Sequence, residues 1–219
     1  VRASEMGFGL KYLLDGLLYP DDSLIDSGSR TAVPPHAKIS DSIPNIPMTN
    51  QFGQRIRFRD EFVRARKALI INTVYTTCKG SCPGTSATIE QLREKLSPAF
   101  GNSLTFLSFT VEPHVDTPEV LRSYAEIYGA GEPNPELSDW YFLRANKPNT
   151  DSLRRSLGLF DLNPQVDQDV SEHASLLVVG NLDTDRWCSL PAELRTSTLI
   201  ESIRRIAGFS FEQRYGITR

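Results

Sequence analysis

The stretch that most limits how this chain can fold is Ala68-Leu69-Ile70-Ile71-Asn72-Thr73-Val74-Tyr75, followed at once by Thr76-Thr77-Cys78-Lys79-Gly80-Ser81-Cys82-Pro83. A run so apolar and β-branched suits a strand buried on both faces, which requires a sheet with helices on each side. Apolar residues then recur at helical spacing in Ile89, Leu92 and Leu96. Cys78 and Cys82 therefore fall between the C-terminal end of a central strand and the start of a helix. In open α/β sheets ligands bind at that edge.

Strand and helix patterns alternate through the rest of the chain. Ile46-Pro47-Met48 and Arg55-Ile56-Arg57-Phe58 flank a turn-rich Asn50–Gln54, which predicts a short hairpin ahead of the central strand. Leu104 to Val111 reads as another strand. Asp116-Thr117-Pro118-Glu119 then opens a helix with a capping side chain, a proline in the first turn and an early acid. Val120, Leu121, Tyr124, Ile127 and Tyr128 share one face of it, and Gly129 can end it. Trp140 to Leu143 is a short strand, and a helix through Leu153 and Leu157 stops at Gly158. Ser175 to Val179 pairs with Arg186-Trp187-Cys188 across a Gly180–Asp185 turn, and Ile200, Ile203 and Ile206 mark a last helix before Gly208. Together these predict an α/β fold with a mixed sheet flanked by helices, occupying residues 43–219.

Residues 1–42 read differently. Leu10, Leu13, Leu14, Leu17 and Leu18 form an apolar stripe at helical spacing, cut short by Gly9, Gly16 and Pro20-Asp21-Asp22. From Asp21 to Pro47 the chain is rich in Asp, Ser and Pro without sustained periodicity. An N-terminal arm with a short amphipathic helix is expected, packed on its own domain or docked on a partner or membrane surface. No run approaches the ~18 consecutive apolar residues of a membrane span. The chain opens on Val1, as a processed protein would, so a lost leader or anchor leaves an exported location open.

With 39% hydrophobic and 23% charged residues, 219 residues suffice for one ordinary domain plus a tail. The net charge of −3 is the difference between 27 acidic and 24 basic side chains, and neither sign forms a block. That excludes a nucleic-acid-binding surface and a polybasic membrane patch.

Three cysteines are too few, and odd in number, for a disulfide-stapled fold. Cys78 and Cys82 read as a functional pair, and Cys188 as a buried small residue. Pro83 in the first helical turn places Cys82 near the N-cap, where backbone N–H groups and the helix dipole favour negative charge. At least one thiol should therefore ionise more readily than a free cysteine, and neither is expected to be buried. Two soft thiolates can bind Cu(I) or Zn(II), or can cycle between dithiol and disulfide. The three-residue spacer is wider than the two-residue spacer of thioredoxin-like redox motifs and leaves room for a metal. Spacing alone does not choose between these.

Four ordered segments carry a resemblance. Tyr75-Thr76-Thr77-Cys78-Lys79-Gly80-Ser81-Cys82-Pro83 resembles the C-x-x-x-C-P signature of the Sco/SenC copper proteins. Phe109 to Pro118 resembles that family's strand ending in D-P-x-x-D-T-P, with Glu112 in place of the first Asp. Trp140-Tyr141-Phe142-Leu143 resembles its W-x-x-L strand, and Glu172-His173-Ala174-Ser175 its D-H-S/A segment. The similarity runs from about Ile43 to about Gly208 and departs again at Val178–Asp183, where the common D-P-x-G turn is missing.

The resemblance implies a thioredoxin-like fold and a copper site formed by Cys78, Cys82 and His173. It further implies a metallochaperone that passes copper to the dinuclear copper site of cytochrome c oxidase or a related respiratory enzyme, at the outer face of an energy-transducing membrane. That means a periplasmic, membrane-tethered or equivalent exported location. Two thiolates and an imidazole suit trigonal Cu(I), and with another donor Cu(II). The implied partners are the copper-bearing oxidase subunit or a similar acceptor, and a thiol reductant. The alternative is a thiol–disulfide oxidoreductase in which Cys78 and Cys82 are catalytic and reduce the cysteines of a target copper site. Ser171-Glu172-His173 stands where such an oxidoreductase carries a cis-proline, which favours metal binding. Glu172 and Asp169 can orient the imidazole or remain solvated loop acids. His114 is read as a surface residue near the site, and His36 has no assigned role.

Overall fold

The computed structural model describes residues 38–169 and 175–216. The core is a seven-stranded sheet in the order β2-β1-β5-β4-β3-β6-β7. Its strands are β1 Pro47–Asn50, β2 Arg55–Arg57, β3 Ala68–Val74, β4 Leu104–Thr110, β5 Trp140–Arg144, β6 Leu176–Asn181 and β7 Arg186–Pro191. β3, β4 and β5 run parallel, while β1, β2 and the β6–β7 hairpin pair antiparallel at the two flanks. The helices are α1 Ser81–Phe100, α2 Pro118–Ile127, α3 Lys147–Ser156, α4 Pro164–Gln168, α5 Thr196–Ala207 and α6 Phe211–Tyr215. A single helical turn, Ile39–Ser42, precedes β1.

Every residue of β3 and β4 is buried, because each strand has a covered layer on both sides. Ala68, Ile70 and Val74 point to one face with Ile89, Leu92, Leu96, Phe106, Leu199 and Ile203. Leu69 and Ile71 point to the other with Phe58, Phe62, Leu107, Phe109, Leu153 and Leu157. Full burial contributes about 1.5–3 kcal/mol per large aliphatic side chain, so this central pair dominates the stability of the domain. Some of the polar groups inside it are matched, while the buried Thr105 Oγ1 on β4 has no hydrogen-bond partner among the described residues. Trp140 Nε1 donates to Ser108 Oγ at 2.9 Å, and Ser108 Oγ donates to Asn72 Oδ1 at 2.7 Å.

The expected strands and the hairpins at both ends are present. Five short elements were not anticipated: the turn Ile39–Ser42, the π-helical turn Arg59–Val63, the 3-10 turn Gly101–Ser103, α4 and α6. The helix start expected over residues 116–119 is present. Thr117 caps α2 by accepting from Val120 N–H, with Pro118 at the first helical position. Asp116 instead turns inward and is fully buried.

Of the N-terminal arm only Lys38–Ser42 is described. Its main chain is held by the β6–β7 turn, where Asp185 Oδ2 accepts from Ile39 N–H at 2.5 Å and Oδ1 from Ser40 N–H at 3.0 Å. Asp185 Oδ1 also takes the Trp187 indole N–H at 3.1 Å. Asp185 has φ 53°, the left-handed conformation that closes this hairpin. The leucine stripe and His36 lie outside the described residues.

Candidate metal centre

The C-terminal ends of β3, β4 and β5 define one edge of the sheet, and both motif cysteines sit there. β3 stops at Val74, the main chain turns so that Cys78 N–H donates to Tyr75 C=O at 3.2 Å, and α1 begins at Ser81. The N-cap is Gly80, so Cys82, expected near the helix start, is the second residue inside the helix and Pro83 the third. That position has a consequence for burial. Cys78 is half-buried on the loop, whereas Cys82 points into the core and is 3% exposed. The expectation that neither cysteine is buried is thus corrected for Cys82, because the first turn of α1 packs its inner face on the sheet. The two are not joined in a disulfide.

Burial and hydrogen bonding divide the two thiols. Partial burial works against ionisation at Cys78. It is outweighed by hydrogen bonds from the Tyr75 hydroxyl, from the backbone N–H groups of Cys82 and Gly80 and from the Cys82 thiol, so the Cys78 pKa is lowered. The Gly80 N–H lies 3.3 Å from Cys78 Sγ. Burial pushes the Cys82 thiol up to about 12, aided by its neighbour Cys78, although a backbone hydrogen bond from Tyr75 opposes this. The readily ionised thiol expected from the motif is Cys78. Tyr75 is itself held well above its ordinary range, first by its hydrogen bond to Cys78 and then by burial.

Beneath the loop lies a scaffold that sequence reasoning missed. The buried Asp116 carboxylate accepts from Thr76 N–H at 3.3 Å, from Thr76 Oγ1 at 2.5 Å and from Thr110 Oγ1. Thr110 Oγ1 in turn accepts from Glu112 N–H at 2.9 Å, and Thr77 Oγ1 donates to Glu112 Oε2 at 2.8 Å. The loop between β3 and the dithiol is therefore tied at two successive threonines to the loop after β4. Glu112, which departs from the family pattern, keeps a structural role there. The available signal was the D-T-P triplet, in which either Asp116 or Thr117 suits an N-cap.

His173 and Glu172 lie outside the described residues. β6 begins at Leu176 beside β3, so its N-terminal end belongs to the same sheet edge as the cysteines. His114 is exposed on the loop after β4, and Asp169 is exposed after α4. Cys188, expected to be buried, is half-buried on β7, where it lines a cleft with Ile39, Leu157, Val178 and Trp187. Among the described residues no group of three or more His, Cys, Asp or Glu side chains gathers around one point. Among the described residues the cysteine pair offers two sulfur ligands at this edge.

A mixed sheet with a dithiol loop between its central parallel strand and the following helix defines a thioredoxin-like protein of the C-x-x-x-C type. The SCO1/SenC family model matches residues 46–207, and the chain belongs to that family. A Stutzerimonas stutzeri protein assigned as copper-binding is 23% identical over 209 residues, which span 94% of this chain and 93% of that one. The SCO1/SenC family lipoprotein of Bacillus anthracis superposes with a TM-score of 0.58 at 18% identity, covering 75% of this chain and 94% of that one. Bradyrhizobium japonicum ScoI, solved with copper bound, gives a TM-score of 0.55 at 17% identity, covering 74% and 98%. At such identities the solved relatives establish the fold.

Proposed function

We propose that this protein is a copper metallochaperone that holds one copper ion as cargo between Cys78, Cys82 and His173. In this reading residues 43–219 form the copper-binding domain and residues 1–42 its arm. The observation that carries it is the pair of thiols at the ligand-binding edge of a SCO1/SenC domain, one of them ionisable and accessible. Soft thiolates suit Cu(I), and an imidazole from the segment before β6 completes a trigonal set. The half-exposed Cys78 leaves the site open to ligand exchange with an acceptor, while the buried Cys82 retains the ion. The acceptor is the dinuclear copper centre of cytochrome c oxidase or of a related respiratory enzyme, and a thiol reductant keeps the pair reduced. The copper named for the Stutzerimonas and Bradyrhizobium relatives supports this role over thiol–disulfide exchange. An exported, membrane-tethered location agrees with the lipoprotein relative. Among the described residues no helix is long and apolar enough to cross a membrane.

Anaerobic reconstitution with Cu(I), followed by desalting and metal analysis, tests the assignment. One copper per chain is expected. It should be lost in Cys78→Ser and in Cys82→Ser, and in His173→Ala it should be weakened or spectrally altered. A fully reduced wild-type protein that retains no copper overturns the reading.

A further inference from the structure

The two cysteines are carried differently. Cys82 is fixed by α1, whereas Cys78 stands on the loop 75–80, between β3 and that helix. A ligand on a loop has to be ordered when a metal binds, and each residue that must be newly fixed weakens binding roughly tenfold. Hydrogen bonds from the neighbouring strand supply much of that order in advance. Thr76, two residues before Cys78, is half-buried and gives its N–H at 3.3 Å and its hydroxyl at 2.5 Å to the Asp116 carboxylate. The same carboxylate takes the hydroxyl of Thr110, the last residue of β4.

Asp116 and Thr110 are both 0% exposed, so water does not compete for these bonds. Asp116 is also firmly mounted. Its N–H donates to Glu112 C=O at 3.0 Å, closing the turn after β4, and the next residue, Thr117, caps α2. The carboxylate therefore bridges the sheet and the cysteine loop from a rigid support.

We propose that Asp116 is a positioning residue for copper binding: by joining Thr110 of β4 to Thr76 of the loop, it sets the Cys78 main chain in place before copper arrives. The inference rests on the copper reading above. Copper then meets a dithiol built in advance, and less of its binding energy is spent on ordering the loop. Both ends of the bridge matter. A change at Thr110, on the sheet side, frees the carboxylate to turn and so carries to Cys78.

The test uses Thr76→Val, Thr110→Val and Asp116→Asn, each of which damages the bridge at one point, and Thr76→Ser, which keeps the hydroxyl. Gly180→Ala is the stability control, because its Cβ would meet the Trp187 ring and it pairs with Leu69 near the other end of β3. Cu(I) affinity is measured anaerobically by competition with bathocuproine disulfonate, and urea unfolding of the metal-free forms reports how far each variant is destabilised. The three bridge variants are expected to bind Cu(I) about tenfold more weakly, the factor that ordering one loop residue represents, and Thr76→Ser to stay within about twofold of wild type. In the metal-free bridge variants the Cys78 amide, which donates to Tyr75 C=O at 3.2 Å, should exchange with deuterium about tenfold faster. Unchanged Cu(I) affinity in the bridge variants overturns the role of Asp116 and leaves the copper reading standing. Weakening in Thr76→Val alone does the same, since the effect is then local to the loop. Equal weakening in Gly180→Ala, or weakening without faster Cys78 exchange, also overturns it, because affinity then follows something other than the order of the loop. A wild type that binds no Cu(I) overturns the copper reading and this inference together.

Discussion

Asp116 is the residue whose loss should most affect the dithiol loop without touching a thiol. Its side chain is 0% exposed and is the acceptor for two hydroxyls and one backbone N–H. Asp116→Ala leaves Thr76 Oγ1 and Thr110 Oγ1 without that acceptor and opens a small void. A hydrogen bond to a carboxylate contributes about 1.5–3 kcal/mol, and the three donors act as one network rather than additively. The expected loss is about 4 kcal/mol for Asp116→Ala. For Asp116→Asn, which keeps one acceptor oxygen but turns an NH₂ toward a donor, it is about 2 kcal/mol. Urea unfolding of the reduced, metal-free protein, followed by the fluorescence of Trp140 and Trp187, measures both. Hydrogen exchange at Thr76 and Cys78 should quicken in Asp116→Asn more than exchange in β3. A loss below about 1 kcal/mol in Asp116→Ala would refute the assignment of Asp116 as the anchor of the loop, since even one such bond exceeds that figure.

Other consequences follow from the same structure. Iodoacetamide at neutral pH should label Cys78 in the folded, reduced protein and spare Cys82 until urea is added, as peptide mass spectrometry would show; equal labelling would contradict the division of the two thiols. Asp167 is held below its ordinary range against its own burial by the Asp161 N–H and by Arg154, whose guanidinium donates to it at 2.7 Å. Because the folded pKa is the lower one, this stabilisation is fully present above the unfolded value of about 4 and is lost as pH falls through the folded pKa. Asp167→Asn should therefore flatten the acid limb of the stability–pH curve, and an unchanged limb would count against the pair. Gly180 faces Trp187 across the β6–β7 hairpin, and a Cβ there would lie 2.4 Å from the indole. Gly180→Ala should cost about 1–3 kcal/mol through displacement of the ring, read from Trp fluorescence and thermal unfolding.

Particular residues show what the sequence could reveal and what it could not. β3 was legible because its apolar run is too long to be anything but buried on both sides, and α2 because its cap, proline and apolar face agree. The one-turn elements escaped because periodicity needs more residues than they have. Yet α6 carries a legible start, a capping box formed by Ser210 and Gln213, and α4 is capped by Asn163. The inward role of Asp116 was not legible for a different reason. Asp and Thr are both good N-caps, and only the packing of the loop against β4 decides which of two neighbours faces inward. His173, proposed as the third ligand, rests on the family resemblance alone.

The inequality of Cys78 and Cys82 arises from the same kind of local decision. A C-x-x-x-C-P motif at a strand–helix junction fixes that both thiols lie near the helix start, but not where the helix starts. With Gly80 as N-cap, the second cysteine enters the first turn and its inward face, so burial acts on Cys82 more strongly than the favourable field of the helix terminus. The first cysteine stays on the loop, where hydrogen-bond donors are plentiful because the loop's own N–H groups have no strand or helix partner. A site meant only to hold a metal gains nothing from this inequality, since two equally donating thiolates would bind more firmly. Under the proposed copper reading the half-exposed Cys78 is the sulfur that an acceptor can reach, and the division of the two thiols favours transfer over storage.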